Sequence, residues 1–106
     1  MTRIVRSQLA LAAIFAIAGS MSFAQSAGEA TYKAKCQMCH GANGAADTPT
    51  AKMMKVKPLN DPDIKKLTDE QMFESVKNGK GKMQPFKDKL SDQEIKDSIT
   101  FYRNLK

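Results

Sequence analysis

The chain has two cysteines and one histidine, and all three fall within five consecutive residues, Cys36-Gln37-Met38-Cys39-His40. This clustering excludes most uses of cysteine. A disulfide between Cys36 and Cys39 would close too short a loop to staple a domain. A structural zinc site needs four ligands, and the chain offers two thiols and one imidazole. A thioredoxin-like dithiol needs a βαβ setting, and no strand pattern is present. What remains is C-x-x-C-H, the signature for covalent attachment of a c-type haem. Two cysteines three apart on a helical turn project to nearly the same side, so both sulfurs can reach the two vinyl groups of one porphyrin. His40 then turns its imidazole to the iron from that side, with Nε2 as ligand and Nδ1–H expected to donate to a backbone carbonyl. One motif implies one haem.

The N-terminus sets the expected compartment. Arg3 and Arg6 precede an apolar run from Leu9 to Ala18, and Ser22-Phe23-Ala24 carries small residues where signal peptidase reads them. Residues 1–24 therefore read as a cleaved secretory signal, with the cut between Ala24 and Gln25. The run is about half the roughly 20 residues that a membrane span needs, so no stable membrane insertion is expected. The product is a soluble periplasmic domain, residues 25–106. All 11 acidic side chains and all but two of the 17 basic ones lie in it, leaving it net positive. With five aromatics, Tyr32, Phe73, Phe86, Phe101 and Tyr102, a domain of this size builds a marginal core, and a covalent porphyrin would supply the staple.

The domain reads as all-α. Ser26 to Glu29 forms a capping box that opens a helix running from about Ala27 towards Cys39. Thr68-Asp69-Glu70-Gln71 is a second box, opening a helix that buries Met72, Phe73 and Val76 and stops at Asn78-Gly79. Ser91-Asp92-Gln93-Glu94 is a third, and its helix aligns Ile95, Ile99 and Tyr102. Asp61-Pro62-Asp63 starts a shorter helix. The segments 41–59 and 79–89 are expected to be loops, with at most a single helical turn between Ala51 and Val56. The architecture is thus three main helices, a short one, and loops wrapped around one haem.

A sixth iron ligand has to come from Met38, Met53, Met54, Met72 or Met83. Met38 is tethered on the histidine's side, and Met72 lies in a core stripe. Met53 and Met54 remain open on spacing alone. Met83 stands in an irregular segment two residues before Pro85, which holds Gln84 extended, and such a loop can wrap over the far haem face.

These motifs together resemble the class I cytochromes c, in particular the small single-haem bacterial and algal-lumen kinds. The resemblance spans nearly all of residues 25–106 and rests on Gly28, Tyr32, the Cys36–His40 motif, Asn78-Gly79, Met83 near Pro85, and Leu90 to Ile95 leading into Phe101. It implies that Gly28, Tyr32 and Phe101 meet where the first and last helices cross. It also implies that Met83 and His40 are the axial ligands of a haem held by Cys36 and Cys39. Here Gln84 intervenes where the family often has proline directly after the methionine. Pro58 is a weak candidate for the carbonyl that accepts from His40. The function implied is single-electron transfer, with no enzymatic turnover. A gas-binding or peroxidase haem lacking a firm sixth ligand is the alternative. Lys80, Lys82, Lys87 and Lys89 near Met83, with Lys33 and Lys35, point to an acidic redox partner protein. The expectation is a monomer that does not bind nucleic acid.

Overall fold

The structure is a computed structural model, and it describes residues 27–106. The expected capping residue Ser26 and the expected signal peptide lie outside them. Helix α1 covers residues 27–35, and after a turn at Cys36 the chain continues as α2, Gln37–His40. The two are nearly one helix. Cys36 N–H donates to the Tyr32 carbonyl at 2.9 Å, and His40 N–H to the Cys36 carbonyl at 3.0 Å. The expected helix towards Cys39 is therefore present, with its kink at the first cysteine.

The segment expected as loop holds a helix of its own, α3, Pro49–Met54. Its start is a Thr48 side chain accepting from Ala51 N–H, with Pro49 at the first helical position. That cap is worth about 1 kcal/mol, enough to settle a short segment that periodicity alone leaves open. Helix α4, Pro62–Lys65, starts as expected, with the Asp61 carboxylate accepting from Asp63 N–H. Helices α5, Asp69–Asn78, and α6, Asp92–Arg103, both open on complete capping boxes, Thr68 with Gln71 and Ser91 with Glu94. Gly79 ends α5 at φ 80°. No strand forms among the described residues, and the fold is helical throughout.

Two packing centres organise these helices. In the first, α5 and α6 pack together, and Met72, Phe86, Leu90, Ile95 and Ile99 are buried between them and the 79–90 segment. Phe73 and Val76 are half-buried rather than buried. Lys77 and Lys96 hold their ammonium groups 5.4 and 5.5 Å from the Phe73 ring centre, which covers its outer face. The second centre is the crossing of α1 and α6. A Cβ added at Gly28 would overlap the Asp97 carbonyl oxygen and stand 3.2 Å from Phe101 Cβ, so the helices touch backbone to backbone there. One turn on, Tyr32 is fully buried with its ring 5.3 Å from Phe101 and 6.0 Å from Tyr102. Gly28, Tyr32 and Phe101 meet as the family resemblance implies.

Candidate haem site

The crossing of α1 and α6 positions the attachment turn, because α2 grows directly out of α1. The Tyr32 hydroxyl donates to the Gly41 carbonyl just past His40, and burial raises the tyrosine's pKa far above its usual range. On the other side, the Thr48 hydroxyl donates to the Met38 carbonyl at 2.7 Å, so α3 is tied to α2 by the same side chain that caps it. The five-residue motif is thus braced by two side chains, one reaching the Met38 carbonyl at its centre and one the Gly41 carbonyl just past its end.

Cys36 and Cys39 are half-buried free thiols. Burial, and secondarily the neighbouring Cys39, pushes the Cys36 thiol up to about 11. The raised value keeps the Cys36 thiol protonated, and both cysteines are free and partly accessible. His40 is half-buried, and burial lowers its pKa, favouring the neutral imidazole that a metal requires. Its Nδ1 is buried without a hydrogen-bond partner among the described residues. The expected Nδ1–H donation to a backbone carbonyl is not formed. Pro58 does not supply it; its carbonyl accepts from Asp61 N–H at 3.0 Å in the turn that starts α4. The imidazole is instead flanked by Tyr102, edge to face, with ring centres 5.3 Å apart. Tyr102 lies on the stripe the sequence assigns to the core, but no sequence signal pairs it with His40, 62 positions away in a different helix.

The methionines occupy distinct environments. Met38 and Met53 project into solvent, 73% and 79% exposed. Met72 is buried, and its sulfur accepts from Arg103 Nη1 at 3.2 Å. Met54 is half-buried on α3. Met83 is half-buried and packs against the α5–α6 core, as Tyr102 does. Its backbone is pinned. Met83 and Lys80 exchange both backbone hydrogen bonds, at 3.0 and 3.1 Å. Phe86 N–H returns to the Val76 carbonyl and Lys87 N–H to that of Lys77, zipping the segment onto the end of α5. A Cβ at Gly79 would stand 2.9 Å from the Met83 carbonyl oxygen, so this close return requires glycine.

A cavity of about 700 Å³ lies beside this core, lined in part by Gly44, Leu59, Ile64, Met72, Arg103 and Leu105. Cys36, Cys39, His40 and Met83 do not line it. It adjoins the site through Met72 in the core and through Gly44, whose added Cβ would be 3.4 Å from Tyr102. The donor set itself fits a haem c. Two free, partly accessible thiols in one turn, an adjacent imidazole that burial keeps neutral, and a half-buried thioether are the groups such a cofactor uses.

The family profile described as cytochrome c oxidase, cbb3-type, subunit III, matches residues 23–101. Among solved structures, the chain is similar to one titled KustC0563 c-type cytochrome. The identity is 30%, covering 74% of this chain and 96% of that one, with a TM-score of 0.67. A point mutant titled under the same name aligns at 28% identity over 74% of this chain and 98% of that one, with a TM-score of 0.66. The search of curated proteins returns no match. With a profile match spanning most of its length, a helical fold shared with solved haem proteins and a C-x-x-C-H turn, the chain belongs to the c-type cytochromes, in the family of the cbb3-type cytochrome c oxidase subunit III.

Proposed function

We propose that the chain is an exported, periplasmic electron carrier. It would bind one haem covalently through Cys36 and Cys39, with His40 and Met83 as axial ligands. The observation that carries this reading is the braced Cys36–His40 turn together with a half-buried, backbone-pinned Met83 on the core against which Tyr102, the ring beside His40, also packs. The haem supplies a ferrous/ferric couple that gains or loses one electron with no other bond change. The protein's part is to hold both axial groups still, keep their surroundings apolar, and leave no coordination position open. The exposure of Met38 and Met53 and the Arg103 contact to the Met72 sulfur support Met83 over those three. The family's description makes a terminal oxidase or its electron donor a natural class of partner.

Protein isolated from an exporting host, denatured on a gel, should keep its haem stain and carry the mass of one haem; folded, colourless protein overturns the reading. Met83→Ala should abolish the weak red band of methionine-ligated ferric haem and lower the reduction potential. It should also admit carbon monoxide to the reduced protein. The control Met53→Leu/Met54→Leu should leave that band in place. The reverse pattern would move the ligand to α3.

A further inference from the structure

Five methionines fall within the described residues, and they divide by their access to water. Met38 and Met53 are 73% and 79% exposed. Met54 and Met83 are half-buried. Met72 is 7% exposed, and its sulfur already accepts from Arg103 Nη1 at 3.2 Å. A surface methionine taken singly needs no explanation as an apolar group. Its sulfur is another matter. A thioether takes up one oxygen atom from a two-electron oxidant, and a dedicated reductase reverses the change.

Access and the cost of the product rank the five sites in the same order. The thioethers of Met38 and Met53 stand open to a small oxidant. The Arg103 guanidinium occupies the Met72 sulfur, and an iron bond would occupy that of Met83. A sulfoxide is polar, so forming one inside a packed core leaves a strong acceptor without a partner. On an exposed side chain water supplies that partner. Neither short helix relies on its exposed methionine for anchorage. Helix α3 buries Ala51, 1% exposed, and is capped by Thr48. Helix α2 is braced through the Met38 and Gly41 carbonyls, which are backbone groups that oxidation of a side chain does not alter.

We propose that Met38 and Met53 are reversible oxidation sites that consume hypohalous acid ahead of Met83. The sulfur lone pair attacks the chlorine of hypochlorous acid, giving a chlorosulfonium ion and hydroxide. A water oxygen then adds to sulfur, chloride leaves, and the net release is one proton. Sulfur is oxidised by two electrons, and chlorine is reduced by two to chloride. Each exposed methionine removes one oxidant molecule with no radical formed. That this spares an axial ligand rests on the proposed role of Met83; which methionines are modified does not.

The test titrates ferric holoprotein stepwise with hypochlorous acid, reading added oxygen by peptide mass spectrometry and following the methionine–ferric band. Met38 and Met53 should each gain one oxygen first, with the band and Tm still at their untreated values. Met54, next in the chain to Met53, should lag both several-fold. Methionine sulfoxide reductase should return Met38 and Met53 to thioethers. Met38→Leu/Met53→Leu should lose the band about two equivalents of oxidant earlier than wild type. Oxygen appearing on Met54, Met72 or Met83 before Met38 and Met53 overturns the proposal. So does a double variant that loses the band at the wild-type dose. Holoprotein with no methionine–ferric band at the outset would defeat the ligation by Met83; the order of oxygen uptake would still decide the modification sites.

Discussion

Replacing Gly28 with alanine tests whether the α1–α6 crossing positions the attachment turn. On an open helix face this change gains about 0.5–1 kcal/mol, because alanine is the better helix former. Here the added methyl would overlap the Asp97 carbonyl oxygen and sit 2.8 Å from its carbon, against backbone that has no rotamer to change. Relief requires the helices to part by on the order of 1 Å, and such a gap forfeits a quarter to a half of the dispersion energy across the contact. Overpacking of this kind costs about 1–3 kcal/mol, and loosening the Tyr32–Phe101 pair adds part of a further 0.5–1.5 kcal/mol. After subtracting the helix-propensity gain, the expected net destabilisation is about 2 kcal/mol. For a domain of this size that is a fall in Tm of roughly 8–16 °C. Denaturant titration of the oxidised holoprotein measures it, with Ala34→Gly on the exposed side of α1 as the control for propensity alone. Because Cys36 N–H is bonded to the Tyr32 carbonyl, the haem spectrum and potential should shift as well. A Gly28→Ala protein as stable as wild type, or more so, refutes the argument that backbone contact sets this crossing.

Two further predictions concern single side chains. Glu94 accepts from the Ser91 N–H in the α6 capping box, and those bonds to Ser91 hold its carboxyl below the usual carboxylate range. A depressed carboxylate pKa adds stability that is present above its unfolded value and is lost as pH falls through the folded one. The advantage of wild type over Glu94→Gln should therefore be present near neutral pH and be lost as the pH falls through the lowered folded-state value; an advantage that does not change with pH would sink it. Tyr102→Leu should let the His40 ring reorient and change the spread of paramagnetically shifted haem-methyl resonances, while Tyr102→Phe restores it; identical spectra in the leucine variant would remove Tyr102 from any positioning role.

What the sequence discloses follows the range of the interactions involved. The boxes at Thr68 and Ser91, the Asp61-Pro62 start and the Gly79 stop are each made by residues within four positions of one another, and each appears in the structure where the sequence puts it. The C-x-x-C-H turn is equally local. Helix α3 was legible only as a possible turn, since its stability comes from Thr48, whose hydroxyl both caps the helix and reaches back to Met38. The surroundings of His40 were not legible at all. A carbonyl acceptor was expected, and Pro58 was the available candidate. The structure leaves Nδ1 without a partner and sets Tyr102 beside the ring. Packing between residues so far apart in sequence leaves no periodic trace. The Met83 segment is intermediate: Gly79 and Pro85 mark an irregular stretch, but the paired bonds to Lys80 and the return to Val76 depend on α5 already being in place.

The two proposed axial residues are held by opposite strategies, and this bears on how a carrier of this design responds to damage. His40 ends a short helix whose backbone is braced through Tyr32 and Thr48, while its ring meets an aromatic side chain and its Nδ1 has no hydrogen-bond partner among the described residues. Met83 has an unbranched, flexible side chain, and the rigidity lies in its backbone, closed against Lys80 and zipped to α5. The elements holding them are also separate: α1 crossing α6 for the histidine, and α5 with its returning segment for the methionine. They meet through α6, which packs against α5 along Ile95 and Ile99 and against α1 at Phe101. Loosening α6 therefore disturbs both sides of the site at once, whereas loosening the 79–90 segment frees the thioether and leaves the attachment turn braced.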